Sequence, residues 1–533
     1  MNAGNPISSD AFGQAIAAYR SGNLAEAEQL CQRIVLVQPN FFDAVHLLAL
    51  LQSLLGKKDA ALASYDRALA IRPDSAEALS NRGVTLHELG RCEEALASYD
   101  RALKVRPAYA EALSNRGLTL HQLGRFEEAL ASYERAFDTR ADYAEALCNR
   151  GLTLHEVGRF EDALASYDKA IVLQPRYVDA HLNRGNTLRE LGRFAEELAS
   201  YAQALELQPN DARVHYNESL CRLLIGDFEC GWVKYEWRWQ IEQLRAEKRN
   251  FSQPLWLGSD QIENKVILLH GEQGFGDVIQ FCRYVPLVAE RAARVILEVS
   301  EPLRELMDDL PGASEIVAKG DRLPYFDVHC PLLSLPLAFK TRLATIPCDT
   351  PYLHAPPQAV LRWSKRLGPR TRPRVGLAWS GRPTHKNDRN RSIKLSALLP
   401  LLDSDADFVS LQRDVRADDV AVLNDRKRLI HFGDELTNFT DTAALISNLD
   451  LVISVDTSVA HVAGALNKTV WVLLPFIPDW RWLLDRDDSP WYPSARLFRQ
   501  STARTWDDVI ATVARSLREL VQIRPGESLG TGN

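Results

Sequence analysis

The chain has 533 residues, 46% hydrophobic and 25% charged, a balance that excludes wholesale disorder and a fibrous class and asks for several domains rather than one core. A net charge of -7 and a pI near 6.0 withhold the basic footprint of a protein that grips nucleic-acid phosphates. The eight cysteines (Cys31, Cys92, Cys148, Cys221, Cys230, Cys282, Cys330 and Cys348) form no C-x-x-C pair, and no apolar leader or membrane-length run is present, which predicts a reduced, cytoplasmic chain without a membrane span.

Residues 1–6 read as a disordered N-terminus. Glycine then recurs at Gly22, Gly56, Gly90, Gly124, Gly158, Gly192 and Gly226, always 34 residues apart. Pro39, Pro73, Pro107, Pro175 and Pro209 keep the same interval and mark helix boundaries, with Ala141 standing where a proline is due. The pattern A-x-x-x-Y-x-x-A, as in Ala95, Tyr99 and Ala102, supplies small residues where paired helices approach and an aromatic to fill the gap. This frame resembles the tetratricopeptide repeat over residues 7–243, about seven repeats, with residues such as Leu79 and Arg82 replacing the family's usual Trp and Leu. Stacked hairpins of this kind build an all-α superhelix whose groove binds extended partners.

Asn81, Asn115, Asn149, Asn183 and Asn217 hold one position in five consecutive repeats and are joined at i+4 and i+7 by polar residues, as in Asn81, Thr85 and Glu88. An amide both donates and accepts, so such a row suits the backbone of an extended peptide whatever its sequence. It resembles the asparagine ladder of the O-GlcNAc transferases; stabilisation of neighbouring repeats is the competing role. His87, His121 and His155 also recur and are too dispersed for a metal site, which makes them groove-lining or repeat-packing residues.

The aromatic stretch 228–239, with Trp232, Tyr235, Trp237 and Trp239, is expected to dock the array onto the next domain, and residues 244–264 to connect the two. From residue 265 short apolar strands alternate with helical segments, the pattern of parallel sheets covered by helices. The first unit runs from strand 266–270 through the glycine turn 271–277, which includes Gly276, into a helix toward Arg291. A strand and helix follow at 295–299 and 302–310, and a polar, basic stretch at 356–374 separates this lobe, residues 265–355, from a second, residues 375–524. In the second lobe a strand at 449–455 runs into the turn Asp456, Thr457, Ser458, a helix through His461, and a strand at 470–474. Hydroxyls and amides at that helix start suit a diphosphate, and Asp456 and His461 are within reach of sugar or phosphate oxygens.

The segment D-T-S-V-A-H-V-A-G-A-L at 456–466 and G-F-G-D-V-I at 274–279 resemble, in order, two motifs of glycosyltransferase family 9, the ADP-heptose:lipopolysaccharide heptosyltransferases. Ser458 stands where that family has Gly. The resemblance implies a GT-B fold of two doubly wound, Rossmann-like lobes, acceptor chemistry in the first and a nucleotide-sugar co-substrate in the second. It makes Asp277 the general base of an inverting transfer, with a helix cap as the competing role. It further implies that Lys386, Arg391, Thr457, Ser458 and His461 stabilise the leaving diphosphate in place of a metal, with no other cofactor. A solvated basic loop competes for Lys386 and Arg391. Gln412, after a strand at 408–411, meets the base or ribose or is an ordinary loop residue. The acidic pairs among Asp403, Asp405 and Asp407, and at Asp485 and Asp487, read as solvated, and the aromatics at 478–492 form a cleft wall or pack the lobes together. A closing helix at 506–521 is expected to cross to the first lobe, with a disordered tail at 525–533.

The expected partners are thus a nucleotide-sugar donor and a protein or peptide acceptor in the repeat groove, the product being glycosylated Ser or Thr. The alternatives are a lipopolysaccharide or other glycan acceptor, and a repeat scaffold that has lost turnover.

Overall fold

The structure, a computed structural model, describes residues 6–384, 387–425 and 429–522. Residues 1–5, Lys386 and the tail 525–533 lie outside the described residues, whereas Pro6, expected in the disordered terminus, opens the first helix. By compactness the chain divides into Met1–Pro209 and Asn210–Asn533.

The first unit is all helical among its described residues, from Pro6–Arg20 to Phe194–Leu207. From Phe42 onward, first helices of 13 residues alternate with second helices of 14. The recurrent glycines follow each first helix with φ between 71° and 83°, a left-handed turn that costs other residues strain. The second helices end in an extended residue ahead of each proline. The helix Phe126–Thr139 ends the same way at Arg140, with φ -144° and ψ 97°, although Ala141 replaces the proline. Packing therefore fixes the boundary, and proline only reinforces it.

A second glycine series sets that packing. A Cβ on Gly83, Gly117 or Gly151 would lie 2.6 Å from the ring of Tyr99, Tyr133 or Tyr167, and on Gly185 2.4 Å from Tyr201. Each tyrosine is at most 1% exposed, so each ring fills a notch that only glycine leaves. The Arg82 position is a clamp on the preceding second helix: Arg82, Arg116, Arg150 and Arg184 pair with Asp66, Asp100, Glu134 and Asp168 at 2.7–2.8 Å. The carboxylates are 50–59% exposed, so each pair contributes under ~1 kcal/mol and the buried rings dominate. His87, His121 and His155 couple successive repeats, each Nδ1 lying 2.9–3.0 Å from Thr119, Thr153 or Thr187 Oγ1.

The second unit opens with the hairpin Ala212–Leu224 and Phe228–Tyr235, so the seventh repeat, placed in the array by its period, is compact with the α/β part. Four strands, β1 (Val266–His270), β2 (Arg294–Val299), β3 (Glu315–Ala318) and β4 (Val328–Pro331), form a parallel sheet in the order β3-β2-β1-β4. Six more, β5 (Arg374–Ala378), β6 (Asp407–Ser410), β7 (Leu429–His431), β8 (Leu451–Val455), β9 (Val470–Leu474) and β10 (Ala495–Arg499), form a parallel sheet in the order β10-β9-β8-β5-β6-β7. Every residue of β5, β8 and β9 is buried, as a sheet covered on both faces requires. The strand order reverses beside β1 in one sheet and between β5 and β8 in the other, which opens crevices at those strand ends.

Two segments differ from expectation. Residues 356–374 include a helix, Pro357–Leu367, packed on the second lobe: Ala359 and Trp363 are buried, Trp363 Nε1 donates to Asp441 at 3.3 Å and Asn448 Nδ2 to Val360 O at 3.0 Å. Pro356 is its cap and Pro357 opens its first turn, where no intrahelical N–H is lost. The final helix, Asp507–Gln522, buries Val509, Ile510, Val513, Ala514 and Leu517 in the second lobe's own core instead of crossing to the first.

Gly117→Ala forces Cβ into the Tyr133 ring and should lower stability by about 1–3 kcal/mol, read by urea denaturation of the full chain. Gly13→Ala, in a helix with open space around the added carbon, should raise it by about 0.5–1 kcal/mol.

Candidate active site

The turn after β1 leads into the helix Phe275–Phe281, and the turn after β8 leads into Ser458–Ala465. The two helix starts meet. A Cβ on Gly276 would lie 2.8 Å from His461 Cδ2 and 3.6 Å from Ser458 Cα, so the close approach of the two lobes requires glycine there. The structure thus brings Gly276, Asp277, Asp456, Thr457, Ser458 and His461 together, and Arg391 joins them by donating Nη1–H to the Asp456 carbonyl at 2.9 Å. Thr457 takes the cap position of its helix, with Oγ1 3.2 Å from Ser454 Oγ, and the first-turn amides face the end of β8.

Asp277 does cap its helix: Oδ2 accepts from Gly274 N–H at 2.8 Å. Its Oδ1 accepts from Arg481, a residue that no sequence motif singles out. Arg481 also donates through Nη1 to Asp479 at 2.8 Å and through Nε to Gln280 at 2.7 Å, and its guanidinium lies 4.3 Å over Trp480. The signal was an arginine between two tryptophans in D-W-R-W: a cation inside so apolar a run is buried and needs acidic partners. Gln280 and Asp277 lie on one helix turn, but neither spacing nor composition joins them to a residue more than 200 positions later.

Burial raises the Asp277 carboxyl above its ordinary range, with Arg481 opposing. Burial and then Asp479 push Asp456 up to about 6, against Arg391. Burial, followed by Arg481, Arg283 and Arg391, drives His461 well below its ordinary value, so it is neutral at pH 7. Its Nδ1 lies 2.9 Å from Tyr492 Oη, its ring stacks on Trp482 at 5.6 Å, and Nε2 is left 3.9 Å from Asp456 Oδ1. The site can therefore offer a carboxylate at one lobe and a neutral imidazole, hydroxyls, helix amides and Arg391 at the other.

Gln412 is engaged elsewhere. Its Oε1 accepts from the N–H groups of Trp379 and Ser380 at 3.1 and 3.2 Å, and Nε2 donates to Asp414 O at 3.2 Å, so its amide braces the turn after β5. Asn81, Asn115, Asn149 and Asn183 are half-buried in the first unit, and Asn217 is half-buried in the second. Two of them touch the preceding repeat: Asn81 Nδ2 is 3.3 Å from His46 Nε2, and Asn183 Nδ2 3.8 Å from Cys148 Sγ. The aromatics at 478–492 do pack the lobes, with Trp491 5.7 Å from Phe281, while Trp482 lines the site through His461. Among the described residues no group of three or more His, Cys, Asp or Glu side chains could hold a metal ion, and no helix is long and apolar enough to cross a membrane.

A folded-state pKa above the unfolded one means that stability is fully present below pH 4 and is lost as pH rises through about 6. Asp456→Asn should therefore gain stability over the parent between pH 4 and pH 6, by at most about 3 kcal/mol, and hold a constant margin above that, measured by urea denaturation across pH.

Comparison with known proteins separates a repeat part from a transferase-like segment. Tetratricopeptide-repeat family models match residues 54–90, 74–142, 108–175 and 148–224, and that of glycosyltransferase family 9 (heptosyltransferase) matches residues 436–473, which hold the Asp456 turn. Protein FlbA of Caulobacter vibrioides is 24% identical over 326 residues, 56% of this chain and 53% of that protein, so the chain spans about half the length of the curated relative it matches. Among solved structures, a tetratricopeptide repeat protein from Parabacteroides merdae is 21% identical over 43% of this chain and 91% of its own, with a TM-score of 0.38. A thermophilic repeat protein of Thermus thermophilus is 27% identical over 34% of this chain and 100% of its own, with a TM-score of 0.31. The chain carries tetratricopeptide repeats in its N-terminal part and, behind them, a segment similar to glycosyltransferase family 9.

Proposed function

We propose that the chain is an inverting, metal-independent glycosyltransferase of GT-B fold that moves a sugar from a nucleotide-sugar donor to a Ser or Thr hydroxyl of a protein held by the repeats. The observation that carries the reading is the meeting of the two turns. Each follows a strand where its sheet order reverses, and Gly276 of one abuts His461 of the other.

In this reading the first lobe presents the acceptor and the second the donor. Asp277 takes the hydroxyl proton as the oxygen attacks the anomeric carbon, and the bond to the diphosphate breaks on the opposite face, which inverts that carbon. Arg391, Lys386, the Thr457 and Ser458 hydroxyls and the helix amides meet the charge that develops on the leaving oxygens. His461, neutral and held at Nδ1 by Tyr492, is positioned to donate Nε2–H toward the same oxygens. Asn115 and Asn149 turn their amides to an extended acceptor backbone. The match of residues 436–473 to a heptosyltransferase family favours one second reading, a lipopolysaccharide or other glycan acceptor.

Purified chain with UDP-, GDP-, ADP- and CMP-sugars should show a selective thermal shift, and the donor that shifts it should be consumed in transfer. Asp277→Asn should reduce transfer about 10²–10⁴-fold with the shift intact. Asn115→Ala with Asn149→Ala should weaken transfer to a protein acceptor while sparing a free-glycan acceptor, and equal loss on both would favour the glycan reading. No shift with any donor would overturn the enzymatic reading.

A further inference from the structure

The residue that spans the two lobes beside Asp277 belongs to no matched motif. Arg481 lies in the short turn Trp480–Trp482 after β9, is 8% exposed, and is fixed from below by the Trp480 ring. Its own N–H and Nη1 both go to Asp479, at 3.0 and 2.8 Å. Its other two edges cross to the first lobe and take Asp277 and Gln280, residues one helical turn apart on Phe275–Phe281. A planar guanidinium satisfied on three edges by three side chains fixes their mutual orientation, which lysine would not do.

We propose that Arg481 is the positioning residue of this cleft, a cation supplied by the donor-side lobe that keeps the Asp277 carboxylate charged and aimed. The inference rests on the reading of Asp277 as the base. A half-buried carboxylate without a counter-charge takes up a proton, and a protonated Asp277 accepts no proton from an alcohol. The other groups around Asp277 do not supply that charge. Asp479 and, from its own turn, Glu272 are acidic. Arg238 is engaged by Glu272 and Glu236, and Tyr216 and Tyr235 from the seventh hairpin are neutral phenols at pH 7. Arg481 is thus the cation that pairs directly with Asp277, and it comes from the lobe that carries the Asp456 turn, so base and donor turn are held in one frame.

The test reads Asp277 itself. The difference in urea stability between the parent chain and Asp277→Asn changes with pH only between the unfolded and the folded pKa of Asp277, so with the unfolded value fixed its upper break gives the midpoint at which folded Asp277 titrates. In an Arg481→Gln background, measured against Arg481→Gln/Asp277→Asn, that midpoint should move up by at least about one pH unit, a tenfold change in proton affinity. Arg481→Lys should return part of the way. The isosteric Asp479→Asn removes the acid that shares the guanidinium and should move the midpoint down, which keeps the test open where Arg481→Gln does not fold. An unmoved midpoint in either variant overturns the proposal. The UDP-, GDP-, ADP- and CMP-sugar thermal shifts should survive Arg481→Gln; their loss with an unmoved midpoint would make Arg481 a donor ligand instead. If no nucleotide sugar shifts the parent chain, the glycosyltransferase reading falls, and the midpoint still decides what Arg481 does to Asp277.

Discussion

The second unit depends on arginines taken out of water. Arg283 is 4% exposed and donates to the carbonyls of Gln280, Pro347 and Trp491 and to Tyr352 Oη, at 2.6–2.9 Å. A guanidinium stripped of water is tolerable only when its donors are satisfied, so these carbonyls, which come from both lobes, are fixed where they stand. Arg238, fully buried, does the same between the aromatic stretch 228–239 and the turn after β1, taking both oxygens of Glu272 at 2.8 and 3.1 Å together with Ser334 Oγ at 2.7 Å. Losing either partner of such a pair leaves an uncompensated buried charge, a cost of about 3–5 kcal/mol. The arrangement therefore has a narrow tolerance for change, and its consequence is that the turns after β1 and β8 keep a defined register.

The array is held by a different constraint. Its ion pairs are exposed and weak, and the pairing of glycine with tyrosine 16 residues later, in Gly83 and Tyr99 and the three repeats that follow, is what makes those four hairpins close at the same distance. Repetition follows because the first helix of each repeat must also accept its neighbour. The His–Thr bonds at 32 residues' separation run between repeats and use the Thr hydroxyl that already donates to the carbonyl of Asn115, Asn149 or Asn183. With that proton committed, the histidine must donate from Nδ1. One polar residue on each helix thereby sets the tautomer of the histidine in the repeat before it.

What the sequence made legible was periodic or local. The 34-residue frame gave the helices and their ends, because a left-handed glycine and a proline boundary are properties of single positions. The two turns were legible because a glycine-rich turn between strand and helix is contiguous in the chain. Arg481 and its bond to Asp277 were not, since a pair 204 residues apart leaves no spacing to read. Gln412 shows the opposite limit. Its place after β6 was legible, but the partners of its amide are backbone N–H groups just past β5, 32 and 33 positions away, which no local pattern points to. The helix Pro357–Leu367 was hidden by its own composition: Arg362, Lys365 and Arg366 on the exposed side mask the Ala359 and Trp363 spacing that buries the other.

The seventh hairpin is where period and compactness disagree, and the disagreement is informative. Its glycine, Gly226, keeps the 34-residue interval and a φ of 84°, so by local geometry it is one more repeat. Its second helix, however, carries Trp232 and Tyr235. Trp232 Nε1 donates to Thr341 O at 3.1 Å and its ring meets Trp480 at 5.2 Å, while Tyr235 Oη accepts from Gln273 Nε2 at 3.1 Å. Gln273 itself holds a φ of 59°, a left-handed conformation uncommon outside glycine, in the turn that delivers Asp277. The same hairpin's first helix packs on the Trp480–Trp482 turn that delivers Arg481. A repeat unit has thus been recruited as the support for both sides of the cleft. Asn217, the last position of the asparagine series, consequently rides on the element that holds the candidate base and its counter-ion in place.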